Sequence, residues 1–187
     1  PRKNIINLIY AFDRFAAVHP DQHLYIVGKR GWLYDEFYKL VSARKLEGKV
    51  HFTGYVSETD RLYLLKNAQA FIAPEFYGGF GLTIPEAQSV GTPVIASETG
   101  AFPEIGGDAC LYINPFSVDS IVDGMEKVSS DQSLRKKLIA KGYEQCKKFT
   151  WSKGADQYIS VLDSVCHPGL SSAMRNEIPG SVSPNKS

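Results

Sequence analysis

Apolar residues recur along this chain in two alternating patterns. Short runs at 24–27 (LYIV), 50–53 (VHFT), 70–73 (AFIA), 93–96 (PVIA) and 110–113 (CLYI) have the length and continuity of strands in a parallel sheet covered on both faces. Between them the spacing changes to helical. Residues 4–18 set Ile5, Leu8, Ile9, Phe12, Phe15 and Ala16 on one stripe, and residues 33–47 do the same with Leu33, Phe37, Leu40, Val41 and Leu46. A third helix opens at Ser57 as cap and carries Leu62, Leu64, Leu65 and Ala68, a fourth begins near Thr83, and a fifth runs from the cap Ser117 to Val128. Two further amphipathic stretches, 131–148 and 151–165, are expected to finish the core. Strands alternating with helices build a doubly wound, Rossmann-like parallel α/β sheet, here one domain over residues 1–166 without internal repeats. From His167 the chain turns to Pro, Gly, Ser and Asn, so residues 167–187 read as a disordered tail or linker.

Composition narrows the partners. The 187 residues are 43% hydrophobic, enough for one substantial core, and 21 basic residues face 20 acidic ones. No global field draws the chain to nucleic acid, so any phosphate site must be local. Cys110, Cys146 and Cys166 show neither CxxC nor ligand spacing, and His19, His23, His51 and His167 are scattered, which argues against a disulfide scaffold or a metal centre. A reducing, cytoplasmic setting fits. No apolar run approaches the roughly 20 residues of a membrane span, and none has the charged head and apolar centre of a signal peptide. Opening at Pro1 inside a helix-opening phrase, the chain is expected to be a fragment.

The chemistry concentrates at PEFYGGFGLTIPEAQSVGTPVIAS, residues 74–97. A strand empties into Gly78, Gly79, Phe80 and Gly81 before a helix. Glycine lets backbone approach a ligand, and the first N–H groups of a helix lack internal partners, so the unit suits a phosphate; equally, the glycines serve a tight turn. Thr83 and Glu86 fit a capping box with Pro85 in the first turn, and Glu86 is also placed to accept from a sugar's hydroxyl pair. The spacing permits either. A second basic turn, Gly28, Lys29, Arg30, Gly31 and Trp32, follows the strand 24–27 and falls at the same carboxyl edge of the sheet. Lys29 is thus a phosphate candidate, and Trp32 either walls the crevice or packs the next helix.

Residues 79–87 (GFGLTIPEA) and 91–97 (GTPVIAS) resemble the donor-binding half of retaining GT-B glycosyltransferases of family 4, which includes many mannosyltransferases. Pro103 and Glu104 before Gly107, Asp108 and Ala109, and the closing KFTWS at 148–152, sit where that family has similar words. The likeness covers about residues 1–165. It implies the carboxyl-terminal half of a GT-B fold with its first strand upstream of Pro1 and therefore missing. It also implies a GDP- or UDP-hexose donor, no metal or other cofactor, and a glycan or lipid acceptor held by an absent amino-terminal domain. The full-length protein would then work at the cytoplasmic membrane surface.

By resemblance the donor diphosphate falls to Lys3, with Lys29 and the loop residues Gly79, Phe80, Gly81, Leu82 and Thr83. Ribose falls to Glu86 and the nucleobase to Tyr55 and Val56. Gly100 and Ala101 are small enough to let the sugar approach backbone, while Glu104 is expected to cap a short helix there. One departure stands out. The family's first glutamate, which contacts the donor sugar, aligns with Gly78, and Glu75 lies three residues too early. Glu75 and Gly78 are the donor-sugar candidates, and no residue here is assigned the chemical step itself. The leading expectation is hexose transfer with retention, inactive in this fragment alone. A non-catalytic nucleotide-binding or interaction module that lost the chemistry is the alternative. A dinucleotide oxidoreductase is disfavoured, because no GxGxxG follows a first strand.

Overall fold

The computed structural model describes residues 2–29, 31 and 34–165, so Trp32 and the tail from 167 lie outside the described residues. Five strands alternate with helices: α1 (Ile5–Val18), β1 (Leu24–Val27), α2 (Tyr34–Ala43), β2 (Val50–Gly54), α3 (Glu58–Asn67), β3 (Phe71–Ala73) and α4 (Thr83–Ser89). There follow β4 (Val94–Ser97), α5 (Phe102–Gly106), a 3-10 turn at Gly107–Ala109, β5 (Cys110–Ile113), α6 (Val118–Ser130), α7 (Gln132–Cys146) and α8 (Trp151–Val165). Every strand pairing is parallel. Ser57 and Ser117 cap α3 and α6 as expected, each side chain accepting the N–H three residues on. Asp131 does the same for α7. Helix α2 stops ten residues in, where Lys45 takes a left-handed turn (φ 56) that residues 33–47 as one helix would not allow.

The core is continuous. β4 is buried along its whole length, which requires cover on both faces of the sheet. Helix α1 packs on α2 and α6, and α4 packs on α3, α5 and α7. One apolar cluster joins Leu8, Ile9, Phe12 and Phe15 of α1 to Ile95, Ile113, Ile121, Met125 and Val128.

The sheet itself is divided. β3, β4 and β5 form one part in that order, β1 and β2 the other, and among the described residues β1 pairs only with β2 and β3 only with β4. Both free edges open on one cleft of about 1360 Å³, lined by β1, β3, the inner face of α1 and, at its carboxyl end, Arg2, Lys3 and Lys29. This corrects the reading of residues 24–27 as a buried strand. Tyr25 and Val27, which share one face of β1, are 53% and 41% exposed, while Leu24 and Ile26 on the other face are half-buried.

A second unit begins at Lys148, and its described residues, 148–165, include α8. The helix spans the expected residues, and none of its side chains is buried.

Candidate functional site

The carboxyl ends of the strands gather the charged side chains. At the β3 end, Asn4 stands in the left-handed region (φ 57), buried, with its Nδ2 donating to Pro74 O (2.9 Å) and Pro115 O (2.7 Å). It thereby fixes the entry to α1 against two loops. The preceding residues grip the start of the glycine loop. Arg2 Nη1 donates to Glu75 Oε2 (2.9 Å) and Tyr77 O (3.3 Å), Arg2 O accepts from Phe76 N (3.0 Å), and Lys3 Nζ pairs with Glu75 Oε1. The Glu75 side chain is 9% exposed while those of Arg2 and Lys3 are 55% and 60% exposed. One nearly buried carboxylate therefore holds two cations at the cleft, as burial of that charge demands.

At the β1 and β2 ends, Gly28 N donates to Gly54 O (3.0 Å), and Gly54 takes φ 70 to make the turn. The stitch brings Lys29 over the ring of Tyr55, with Nζ 5.3 Å from the centroid. Tyr55 is exposed and Val56 half-buried.

The glycine loop differs from its expected form. Thr83 is the first residue of α4 and not its cap; Leu82, already in helical conformation, takes that position without a side-chain bond. The reason is Gly81, which at φ 67 turns the chain one residue earlier and accepts from Ile84 N (2.8 Å). Glu86 consequently does not close a capping box. Its carboxylate pairs with Arg61 of α3, and the two side chains are 31% and 30% exposed.

Gly78 is buried, and a Cβ built there would stand 2.3 Å from the Phe102 ring, while one on Gly100 would stand 2.2 Å from Gly78 O. The smallness of Gly100 is thus required by the packing of the two loops. Glu104 lies in the first turn of α5 without capping it; Ala101 holds the cap position, and no side-chain bond is made there.

Lys3, Lys29, Gly81 and Thr83 line one cleft, together with Arg2, Glu75 and Arg61. Tyr55 joins this group through Lys29 and Glu86 through Arg61. Gly79, Phe80 and Leu82 lie exposed on the loop beside it, whereas Gly78 is turned under Phe102. Arg2, Arg61 and Phe102 were not found from sequence. A basic residue next to Lys3 was the available signal for Arg2; nothing local marks the partners of Arg61 or Phe102. The arrangement offers fixed positive charge and loop backbone beyond the ends of parallel strands, where open α/β sheets bind ligands.

Residues 1–145 match the family described as glycosyl transferases group 1. The chain is 38% identical over 162 residues to the O-antigen chain mannosyltransferase B of Escherichia coli, covering 86% of this chain and 42% of that protein. Among solved structures it superposes on sucrose-phosphate synthase of Thermosynechococcus elongatus with a TM-score of 0.78 at 25% identity, covering 88% of this chain and 42% of that one. It also superposes on the carboxyl-terminal domain of a group 1 glycosyl transferase (LpcC) of Francisella tularensis, TM-score 0.70 at 24% identity, with 79% of each chain covered. The chain spans less than half the length of the mannosyltransferase it matches.

Proposed function

We propose, from the premise that the chain belongs to the group 1 glycosyl transferases, that its cleft mouth binds a nucleoside-diphosphate hexose for transfer with retention of configuration. The observation that carries this reading is the convergence of Lys3, Lys29, Gly81 and Thr83 on one cleft at the carboxyl ends of the strands. As the glycosidic bond breaks, charge builds on the leaving diphosphate. Groups that stabilise it most are those already fixed in place, here Lys3, Lys29 and the backbone of residues 79–83. Glu86 accepts from ribose, and Tyr55 with Val56 borders the base. The sugar lies toward Gly78 and Gly79, and Glu75 serves it by holding Lys3. No metal is assigned a role. The 38% identity to a mannosyltransferase makes mannose the first sugar to try. A glycan or lipid acceptor belongs in this reading to the part of the protein beyond this chain, at the cytoplasmic face of a membrane; among the described residues no helix is long and apolar enough to cross one.

Titration calorimetry with UDP, GDP and their glucose and mannose conjugates tests the proposal. One sugar nucleotide is expected to bind more tightly than its plain nucleotide, and Glu86→Gln to weaken it by about 1–3 kcal/mol. The Phe102 ring beneath Gly78 favours a second reading, a module that binds the nucleotide but has no carboxylate for the sugar. Equal affinity for nucleotide and conjugate would select it. Absence of binding by all of them would refute both.

A further inference from the structure

Arg61 belongs to neither the glycine loop nor the basic turns, and its guanidinium pairs with Oε2 of Glu86. An ion pair whose side chains are about one-third exposed contributes little to stability, so its geometric consequence is the more informative. A glutamate carboxylate on three rotatable bonds samples many orientations. Immobilising it on binding opposes association, and a partner that fixes it beforehand removes that cost. Arginine suits the task, since its planar fork sets direction as well as charge.

A carboxylate offers about four acceptor positions, and Arg61 occupies only one oxygen. Oε1 and the second lone pair of Oε2 remain available for a vicinal pair of hydroxyls. Arg61 also sits in the first turn of α3, where its backbone N–H donates to Ser57 O (2.9 Å), directly after Tyr55 and Val56. One side chain therefore ties the turn assigned to the base to the carboxylate assigned to the ribose.

We infer that Arg61 is a positioning residue that aims Glu86 at the ribose hydroxyls of the donor and sets the discrimination between ribose and deoxyribose. The inference rests on the proposed role of Glu86. Its consequence is selective: loss of Arg61 removes the preference for an intact ribose while leaving the phosphate contacts of Lys3 and Lys29 in place.

The test is titration of the whole chain, and of its Arg61→Leu, Arg61→Lys and Glu86→Gln variants, with UDP and GDP and with their 2′-deoxy and 3′-deoxy analogues. The wild type should prefer the ribonucleotide by roughly tenfold, the effect of one hydrogen bond to a charged group. Arg61→Leu should bring that ratio close to one and bind the deoxy analogue nearly as the wild type does; Arg61→Lys should retain an intermediate ratio. In the Glu86→Gln background, Arg61→Leu should change nothing further. Undiminished preference in Arg61→Leu overturns the inference, as does equal weakening of ribo and deoxy ligands, which would make the pair merely structural. A wild type that binds UDP or GDP without ribose preference refutes the role of Glu86 and the inference with it, but leaves the phosphate site standing. A wild type that binds no nucleotide refutes the proposed function as a whole.

Discussion

Asn4 separates backbone from side-chain demands within one residue. Its φ of 57 suits glycine or asparagine, and its Nδ2 satisfies two buried carbonyls. Asn4→Gly keeps the backbone and orphans the carbonyls, at about 1–3 kcal/mol; Asn4→Ala adds left-handed strain of roughly 1–2 kcal/mol. Urea unfolding should therefore rank wild type above Asn4→Gly above Asn4→Ala, and equal stability of the two variants would dispose of the strain argument. Cys110 gives a pH-dependent counterpart. Burial pushes its thiol up from 9.0 to about 12, partly offset by hydrogen bonds with Tyr112 and Gln88. Between those values the unfolded chain has released a proton that the folded chain keeps, so stability falls as pH rises, with a limiting slope of about 1.4 kcal/mol per pH unit. Below about pH 9 the thiol is protonated in both states and contributes no slope. Unfolding measured at about pH 8 and about pH 10.5 should show wild type losing more stability than Cys110→Ala; parallel losses would assign the alkaline effect elsewhere.

At the scale of elements, the glycine loop and α5 form one packed unit. Phe102, almost fully buried, lies where a Cβ on Gly78 or Gly81 would collide, at 2.3 and 2.6 Å. Gly78→Ala should cost about 1–3 kcal/mol by overpacking. Phe102→Leu vacates part of that space, so the double variant should be more stable than the sum of the single effects implies, and strict additivity would show that the ring is not the obstacle. Such dependence on a distant side chain marks what sequence could and could not reveal. The runs at 24–27 and 110–113 became β1 and β5 residue for residue, because continuous apolarity bounded by turn residues specifies a strand locally. The cap at Thr83 failed because Gly81 turned the chain earlier, a choice made by its packing on Phe102. The partners of Glu75 and Glu86 lie 73 and 25 positions away along the chain, and no local spacing encodes such pairs. Hence the candidate residues could be named from motifs, while the ion pairs that orient them could not.

The whole first unit is organised by the division of its sheet. Among the described residues, β1 and β3 each carry a row of backbone groups without a strand partner along the shared cleft. A single strand between them would complete two ladders at once and shield the apolar side chains of α1 that line the cleft, including Leu8, Phe12 and Phe15. Its direction is fixed as well. Arg2 and Lys3 are anchored to residues 75–77, at the carboxyl end of β3, so a segment joined ahead of them and running through the cleft would arrive there parallel to β3. Extending the chain before Pro1 by about five to six β-branched residues, a typical strand length, should therefore raise the urea midpoint and slow amide exchange on β1 and β3 together. An extension of the same length made of glycine and serine should do neither. Protection confined to one of the two strands would mean that the segment pairs with a single edge, and unchanged exchange on both would show that the cleft is closed by other means.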